Sequence, residues 1–158
     1  MEMSGTRVIA ADRETVWKAL NSAEVLAACI PGCTELTGDA EDGFDAVVTQ
    51  KVGPVKATFK GSVTLSDIVQ PESYRISGEG KGGVAGFAKG GASVRLNEVP
   101  DGTELIYDVD AKVGGKIAQL GNRIINGFAT KMANAFFDNF QAHVQGDSEG
   151  DEAEAGTA

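Results

Sequence analysis

Few side chains in this sequence are of a type that makes or breaks bonds. Cys29 and Cys33 are separated by three residues, whereas a redox pair usually has two residues between its cysteines. A metal site needs more ligands than two thiols and the distant His143 supply. Unreactive buried thiols at a helix end are the simplest interpretation; a redox pair and a metal clip are the alternatives. The spacing therefore predicts no metal centre.

Acid–base chemistry is also poorly provided for. His143 is the single histidine, so a Ser-His-Asp or Cys-His site would have to use it. It lies near the end of a predicted helix, where a cation suits the helix dipole, and we expect it at the surface. Glu104, Asp108 and Asp110 share the outward face of a predicted strand and are expected to be solvated. With no acid and base paired at inward positions, the chain is predicted not to be an enzyme.

A glycine-rich run over 78–83 matches the pattern GxGxxG. A dinucleotide fingerprint requires a strand before it and a helix directly after it, and here the next helix begins some thirty residues later. Lys81 is not followed by serine or threonine, as a Walker loop requires. Nucleotide binding is therefore not predicted. Gln50, Tyr74 and Tyr107 are the polar groups expected to point inward, where they could orient a ligand carbonyl.

Hydrophobic patterning predicts the elements that position these residues. Apolar and polar residues alternate in seven segments, typical of an antiparallel sheet with one solvated face: 4–10, 34–37, 44–52, 55–65, 74–82, 88–96 and 103–113. Two short helices follow the first strand, with Asp12 and Ser22 as their N-caps and Pro31-Gly32 ending the second. Steps of three and four predict one amphipathic helix over 116–144. The predicted fold is α+β, a bent seven-stranded antiparallel sheet around a long C-terminal helix.

Small residues cluster on the inward face of the middle strands. Gly78 and Gly80 follow Tyr74 at alternate positions, and Gly90 has alanine two residues to either side. Glycine inside a strand marks a bend, a bulge or a close approach. We interpret the cluster as the floor of a ligand pocket; the alternative is that it permits tight curvature and the long helix fills the space. On the long helix, we expect one set of residues to face the hollow, Ile117, Leu120, Ile124 and Phe128, and a second set to pack against large sheet side chains, Met132, Phe136 and Phe140.

Composition limits the class of protein. The chain has 158 residues, 42% of them hydrophobic, and a formal net charge of −9. One domain over 1–145 is expected, followed by an acidic, disordered tail over 146–158. Without the five acids of the tail, the chain has 14 basic and 18 acidic residues. The sequence contains no run of basic residues, which argues against a nucleic-acid partner. We expect no signal peptide, no transmembrane helix and a reducing cytoplasmic location.

Several long blocks resemble the family of the carbon monoxide dehydrogenase G subunit (CoxG). They are CIPGC at 29–33, VGPVKATFKG at 52–61, SYRISGEGKGG at 73–83, GFAKGGA at 86–92 and YDVDAKVGGKIAQLGNRII at 107–125. That family belongs to the START-like, helix-grip (SRPBCC) superfamily of hydrophobic-ligand-binding proteins. The resemblance implies a membrane-associated accessory protein of a molybdenum hydroxylase of the carbon monoxide dehydrogenase type, proposed to bind a quinone and link the enzyme to the respiratory chain. Some members end in an apolar anchor, whereas this chain ends in an acidic tail.

The expectations that follow are specific. A hydrophobic ligand, menaquinone or ubiquinone, is expected in an internal cavity, with access near residues 25–30 and 83–86. No covalent cofactor is expected, and the expected partners are the hydroxylase, the quinone or a lipid-like molecule, and a transient membrane surface at the inner face of the cytoplasmic membrane. The alternative is a docking, recruitment or maturation factor with no physiological ligand. The predicted ligand-binding residues are Trp17, Leu26, Ile30, Phe44, Val48, Phe59, Val63, Tyr74, Gly78, Gly80, Gly90, Tyr107, Val109, Ile117, Leu120, Ile124 and Phe128.

Overall fold

The computed structural model describes the backbone of residues 1–157 and the side chains of residues 1–146. The elements are β1 (Glu2–Ile9), α1 (Arg13–Leu20), α2 (Ala23–Cys29), β2 (Cys33–Asp39), β3 (Gly43–Val52), β4 (Val55–Val69), β5 (Ser73–Lys81), β6 (Phe87–Val99), β7 (Gly102–Gly114) and α3 (Asn122–Thr157). Two 3₁₀ helices, Gly83–Ala85 and Lys116–Leu120, join β5 to β6 and β7 to α3. The prediction of a disordered tail over 146–158 falls, after Gly146, on residues whose side chains lie outside those described, and it stays a prediction.

The seven strands form one antiparallel sheet in the order β1-β7-β6-β5-β4-β3-β2. Strands β2 to β7 follow each other as hairpins, and β1 returns to pair with β7. Residues alternate between half-buried and exposed along most of β4, so the sheet has a packed inner face and a solvated outer face. The predicted α+β fold with its seven strands is confirmed.

The two short helices begin where the sequence predicts. Ser22 caps α2, because its hydroxyl accepts a hydrogen bond from the backbone N–H of Val25 at 3.3 Å. Asp12 precedes α1, but its carboxylate accepts from the hydroxyl of Thr15 and not from a backbone N–H. The predicted position of Asp12 is therefore right and its predicted bonding is wrong.

The long helix begins later than its periodicity predicts. Residues Lys116–Leu120 form a separate 3₁₀ helix between two glycines in left-handed conformations, Gly115 at φ 81° and Gly121 at φ 91°. A right-handed α-helix cannot pass through such residues, so the continuous helix predicted over 116–144 is wrong at its N-terminal end. The carbonyl of Gly121 accepts a hydrogen bond from the N–H of Ile125 at 3.2 Å, and α3 starts from there.

The C-terminal half of α3 is tied to the rest of the domain by side-chain hydrogen bonds. Arg7 on β1 contacts Asp138 at 2.7 Å and Gln141 at 3.1 Å, and Gln141 donates to the carbonyl of Val8 at 3.0 Å. Asn139 donates to the carbonyl of Cys29 at 3.0 Å. Along residues 122–133 the polar contact found is a long one, from Thr130 Oγ1 to the sulfur of Met3 at 4.0 Å. The helix is therefore anchored mainly at one end.

The apolar interior is divided into two clusters. The larger cluster lies under α1 and the C-terminal half of α3 and includes Ile9, Trp17, Leu105 and Phe140. The smaller cluster centres on Val52, Ala85 and Ile117 at the opposite end of α3. No residue belongs to both sets. Space between the sheet and the helix is therefore left between two packed regions.

Candidate functional site

A cavity of about 180 Å³ lies beside the larger cluster; we call it the aromatic cavity. Its walls come from β1 and the inner faces of β3 to β7, from α1 and α2, and from the middle of α3. Tyr107 stacks on Phe137 with ring centroids 4.9 Å apart, and Phe136 meets Phe137 edge-on at 5.1 Å. These rings hold one another in place and give the cavity fixed aromatic walls.

A second cavity of about 280 Å³ lies beside the smaller cluster, next to the break before α3; we call it the helix-break cavity. Phe59 on β4 and Phe128 on α3 contribute aromatic walls. Met132 is a flexible apolar side chain that adapts to differently shaped contacts. Gln50 is the polar side chain among its walls.

Small residues on β5 and β6 connect the two cavities. A glycine-lined hollow of about 270 Å³ shares Val63, Ile76 and Val109 with the aromatic cavity. It shares Gly80 and Ala88 with the helix-break cavity. The three spaces therefore adjoin along the inner face of the sheet, and the N-terminal half of α3 lines the helix-break cavity.

The glycines of this face have different roles. A Cβ atom added to Gly80 would meet no atom within 4 Å, so this glycine borders open space. A Cβ at Gly78 would lie 2.5 Å from a methyl of Val63, and one at Gly90 would overlap the carbonyl oxygen of Asp110. Gly80 leaves room for a ligand, whereas Gly78 and Gly90 permit close approach of a neighbouring side chain or strand.

Most of the predicted site residues lie around these spaces. The aromatic cavity contains six of them among its walls, Leu26, Phe44, Val63, Tyr74, Tyr107 and Val109. The helix-break cavity contains Val48, Phe59, Gly80, Ile117 and Phe128. Gly78 and Gly90 line the glycine-lined hollow. Whether these residues bind a ligand stays a prediction.

Four predicted residues lie elsewhere. Trp17 is buried in the larger cluster, where its ring meets Tyr74 edge-on at 5.1 Å. Ile30 is the C-cap of α2 and lines none of the three spaces. Leu120 and Ile124 lie over Gly53 in the β3–β4 turn, 3.7 and 3.4 Å from where its Cβ would be. Ile124 is 40% exposed, so the prediction that it faces the hollow is wrong.

The helix break explains which helix residues the sequence pattern missed. Because α3 starts after Gly121, its inward stripe begins one residue later than predicted, at Ile125. Met132 was expected to pack against large sheet side chains and instead lines the helix-break cavity, whereas Phe136 packs against the larger cluster, as expected, and also lines the aromatic cavity. Gly127 has no atom within 4 Å of its Cβ position, so close approach of a strand does not account for this glycine. Gly121 was the signal for the helix break in the sequence, but the sequence does not show that the φ angle of this glycine is positive.

Three polar side chains reach the walls. Burial raises the pKa of Tyr74 well above its ordinary value, so its phenol stays protonated and keeps a hydrogen to donate. Gln50 donates one of its amide hydrogens to the carbonyl of Pro31, which leaves its second N–H for another acceptor. Tyr107 is held by its stacking on Phe137. The walls are thus apolar with a few placed polar groups, as in small-molecule sites.

The cysteines lie outside these walls. Cys29 is buried in the larger cluster, and desolvation raises the pKa of its thiol, which makes the nucleophilic thiolate less accessible. Cys33 is half-buried, and its sulfur lies 3.3 Å from the carbonyl oxygen of Glu35. The interpretation as buried thiols fits Cys29 and holds only in part for Cys33.

Among the helices of the described residues, none is long and apolar enough to cross a membrane.

Comparisons with known proteins come from solved structures and a family model. A conserved protein from Geobacillus kaustophilus superposes with a TM-score of 0.85 at 29% identity, covering 92% of this chain and 95% of its own. Proteins from Rhodobacter sphaeroides (TM-score 0.69, 19% identity, 92% and 93% covered) and Thermus thermophilus (0.69, 14%, 94% and 99%) share the fold.

A search of curated protein sequences finds no match. The model of one family, described as the G subunit of carbon monoxide dehydrogenase (CoxG), matches residues 5–145. That range contains the whole sheet except the start of β1, both short helices, and α3 as far as Gln145. The resemblance carried by the blocks from residue 29 to residue 125 is confirmed, and with a helix-grip fold and a family match over most of its length, this chain belongs to the carbon monoxide dehydrogenase G subunit (CoxG) family.

Proposed function

We propose that this protein is a non-enzymatic carrier of a hydrophobic ligand, with a quinone as the ligand. The observation that carries the proposal is the set of adjoining apolar spaces between the sheet and α3. They lie where two separately packed clusters leave the interior unfilled. A domain selected only for stability would gain from filling this space, because cavities cost free energy.

The sizes of the spaces suit a ring followed by an apolar chain. An apolar cavity of about 150 Å³ can hold a benzene molecule. The helix-break cavity, at about 280 Å³, has room for a larger ring. Ligand pockets generally begin at about 300 Å³, so an elongated ligand would need to occupy more than one of the adjoining spaces. The glycine-lined hollow provides the passage between them.

Hydrogen-bond donors are present for a quinone carbonyl. The protonated phenol of Tyr74 and the free amide hydrogen of Gln50 lie at different cavities. Each could donate a hydrogen bond to a quinone carbonyl oxygen while the rest of the ligand contacts apolar walls. Neither residue has an inward carboxylate or imidazole beside it in the cavity walls. This favours binding over chemical conversion.

Access to the cavity is proposed to require movement of the N-terminal half of α3. The 3₁₀ helix Lys116–Leu120 lies between Gly115 and Gly121, two residues that can change backbone conformation at low cost. The anchoring hydrogen bonds of α3 lie at Asp138 and beyond. The weakly held half covers the helix-break cavity, so its displacement would open that cavity without unfolding the larger cluster.

The partner follows from the family. Its description names a subunit of carbon monoxide dehydrogenase. We propose that this chain acts with a molybdenum hydroxylase of that type and connects it to a quinone pool at the inner face of the cytoplasmic membrane.

The test is direct measurement of ligand binding. The full-length protein, purified without detergent, would be extracted with organic solvent and the extract searched by mass spectrometry for quinones. The emptied protein would then be titrated with short-chain menaquinone and ubiquinone by calorimetry. Saturable binding with one ligand per chain is expected. If neither quinone binds, and no lipid is extracted, the carrier proposal is wrong.

A docking factor without a ligand is the alternative. Deleting the gene distinguishes the two accounts. If the hydroxylase leaves the membrane fraction but purified enzyme still reduces quinone unaided, docking is the better account. If the enzyme stays with the membrane but no longer reduces quinone, the carrier account is supported.

A further inference from the structure

A group of lysines lies on the outer face of the sheet, at the end next to the helix-break cavity. Strand pairing places them directly opposite one another in three pairs. All six are exposed. We call this surface the lysine face; the three pairs are Lys51 with Lys56, Lys60 with Lys81, and Lys89 with Lys112.

Like charges at directly opposite positions destabilise an antiparallel sheet. The same strands place Glu79 opposite Lys89, and they place Asp110, which pairs with Arg75 at 3.4 Å, two residues before Lys112 on the same face. Within residues 1–146, however, no ion pair involves any residue of the lysine face. Three repulsive pairs on one surface of a net acidic protein have no explanation in the fold itself, and they point to an anionic partner.

Exposed apolar residues accompany the lysines. Val84, in the 3₁₀ helix that connects β5 to β6, is 94% exposed. Phe87 is 49% exposed and lies between Lys81 and Gly114 across the sheet. Amphipathic surfaces of this kind bind a bilayer by placing ammonium groups at the phosphates and apolar side chains at the acyl boundary.

We propose that the lysine face, with Val84 and Phe87, is the surface by which this protein binds the anionic headgroups of a lipid bilayer. Lysine is depleted in protein–protein interfaces, so an acidic protein is the weaker fit. The exposed apolar side chains of Val84 and Phe87 favour a bilayer over nucleic acid. The physiological purpose of this surface rests on the proposed carrier function. Its binding to lipid does not, because that binding can be measured on the empty protein. Phe87 and Val84 neighbour the helix-break cavity through Ala85, which packs with Ile117, so a ligand would leave the bilayer close to the cavity.

The test is flotation of the full-length, ligand-free protein with vesicles that contain no quinone. Vesicles of phosphatidylcholine alone are compared with vesicles of equal parts phosphatidylcholine and phosphatidylglycerol. Binding to the second kind only, weakening as salt is raised, is expected. Each lysine near an anionic surface contributes about fivefold to binding, so a Lys60→Gln, Lys81→Gln double variant should bind roughly 25-fold more weakly.

The matched control is the double variant Lys18→Gln, Lys131→Gln, which removes the same charge from exposed positions off the lysine face and should bind nearly as the natural protein does. Val84→Ser should weaken binding without changing its salt dependence. Thermal unfolding of the Lys60 and Lys81 variant should occur at the same or a higher temperature, since a repulsive pair is removed. Equal binding to both kinds of vesicle, no binding at low salt, or equal losses in the two double variants would overturn the proposal. Titrating the same variants with quinone in solution distinguishes failure of the lipid-binding proposal from failure of the carrier proposal.

Discussion

Replacing Gly80 with leucine separates a functional cavity from an incidental one. The Cβ position of Gly80 has no atom within 4 Å and borders the helix-break cavity and the glycine-lined hollow. Leucine adds four carbon atoms, on the order of 100 Å³ at about 30 Å³ per heavy atom. That volume is a large share of the 280 Å³ in the helix-break cavity. A ligand and this side chain could not both occupy the space.

The expected effects on stability and on binding have opposite directions. Burying the leucine side chain in empty space contributes about 1.5–3 kcal/mol, so the thermal midpoint should rise by several degrees, at roughly 2–4 °C per kcal/mol. A quinone that loses contacts equivalent to four carbons, at about 0.8 kcal/mol each, should bind roughly two orders of magnitude more weakly. Calorimetric titration and thermal unfolding measure the two quantities on the same sample.

The control makes the same chemical change away from the cavity. Gly127 on α3 also has no neighbouring atom at its Cβ position, but it is exposed and lines none of the three spaces. Gly127→Leu should improve helix stability by up to about 1 kcal/mol and leave quinone affinity unchanged. Unchanged affinity in Gly80→Leu, or an equal loss in Gly127→Leu, would refute the reasoning. Leu120, which the sequence predicted to face the hollow, lies over the β3–β4 turn, so a large side chain at that position would not fill the cavity.

Further predictions concern packing, pH and mobility. Gly5→Ala should lower the free energy of unfolding by about 1–3 kcal/mol, because its Cβ would overlap the hydroxyl of Tyr107, a ring already stacked on Phe137; denaturant unfolding should show this loss, and an unchanged midpoint would contradict the packing argument. Because burial raises the pKa of Tyr74, its contribution to stability is complete below about pH 10, where the unfolded tyrosine ionises, and is lost as pH rises further. Denaturant midpoints measured from about pH 8 to about pH 11 should therefore fall less steeply in Tyr74→Phe, and parallel curves would count against this assignment. Backbone amides of residues 122–133 should exchange hydrogen faster than those of residues 134–145, since the anchoring hydrogen bonds lie in the second segment; uniform protection measured by mass spectrometry would exclude the proposed movement.

Alternating strands were readable from the sequence because a two-residue period admits few other structures. The inward parity of β4 follows directly from its pattern of half-buried and exposed residues. The cavity was also foreseeable in part, because small residues at alternate positions of β5 and β6 leave the same face unfilled. What the sequence could not distinguish was Gly80, which borders space, from Gly78, which a methyl of Val63 already covers. That difference depends on a cross-strand neighbour and on local twist.

The start of α3 was missed for a related reason. Apolar residues at steps of three and four continue through the 3₁₀ helix, so the periodicity gives no sign of the break. Gly121 interrupts the helix through a positive φ angle, and glycine also occurs inside helices, as Gly127 does. The one-residue change of phase then turns Ile125 inward and leaves Ile124 40% exposed. Trp17 was assigned to the pocket as a large aromatic residue, but its helix places it in the packed cluster.

The unfilled interior also gives this protein a distinctive response to pressure. Any part of this space that water does not enter is volume that the folded chain occupies and the unfolded chain does not. Compression therefore favours the unfolded state, in proportion to the void that unfolding eliminates. The spaces of about 180 and 280 Å³ should make the empty protein unfold at modest hydrostatic pressure. A ligand that fills them removes most of that volume difference, so the pressure at which the chain unfolds becomes a measure of how much of the interior is occupied.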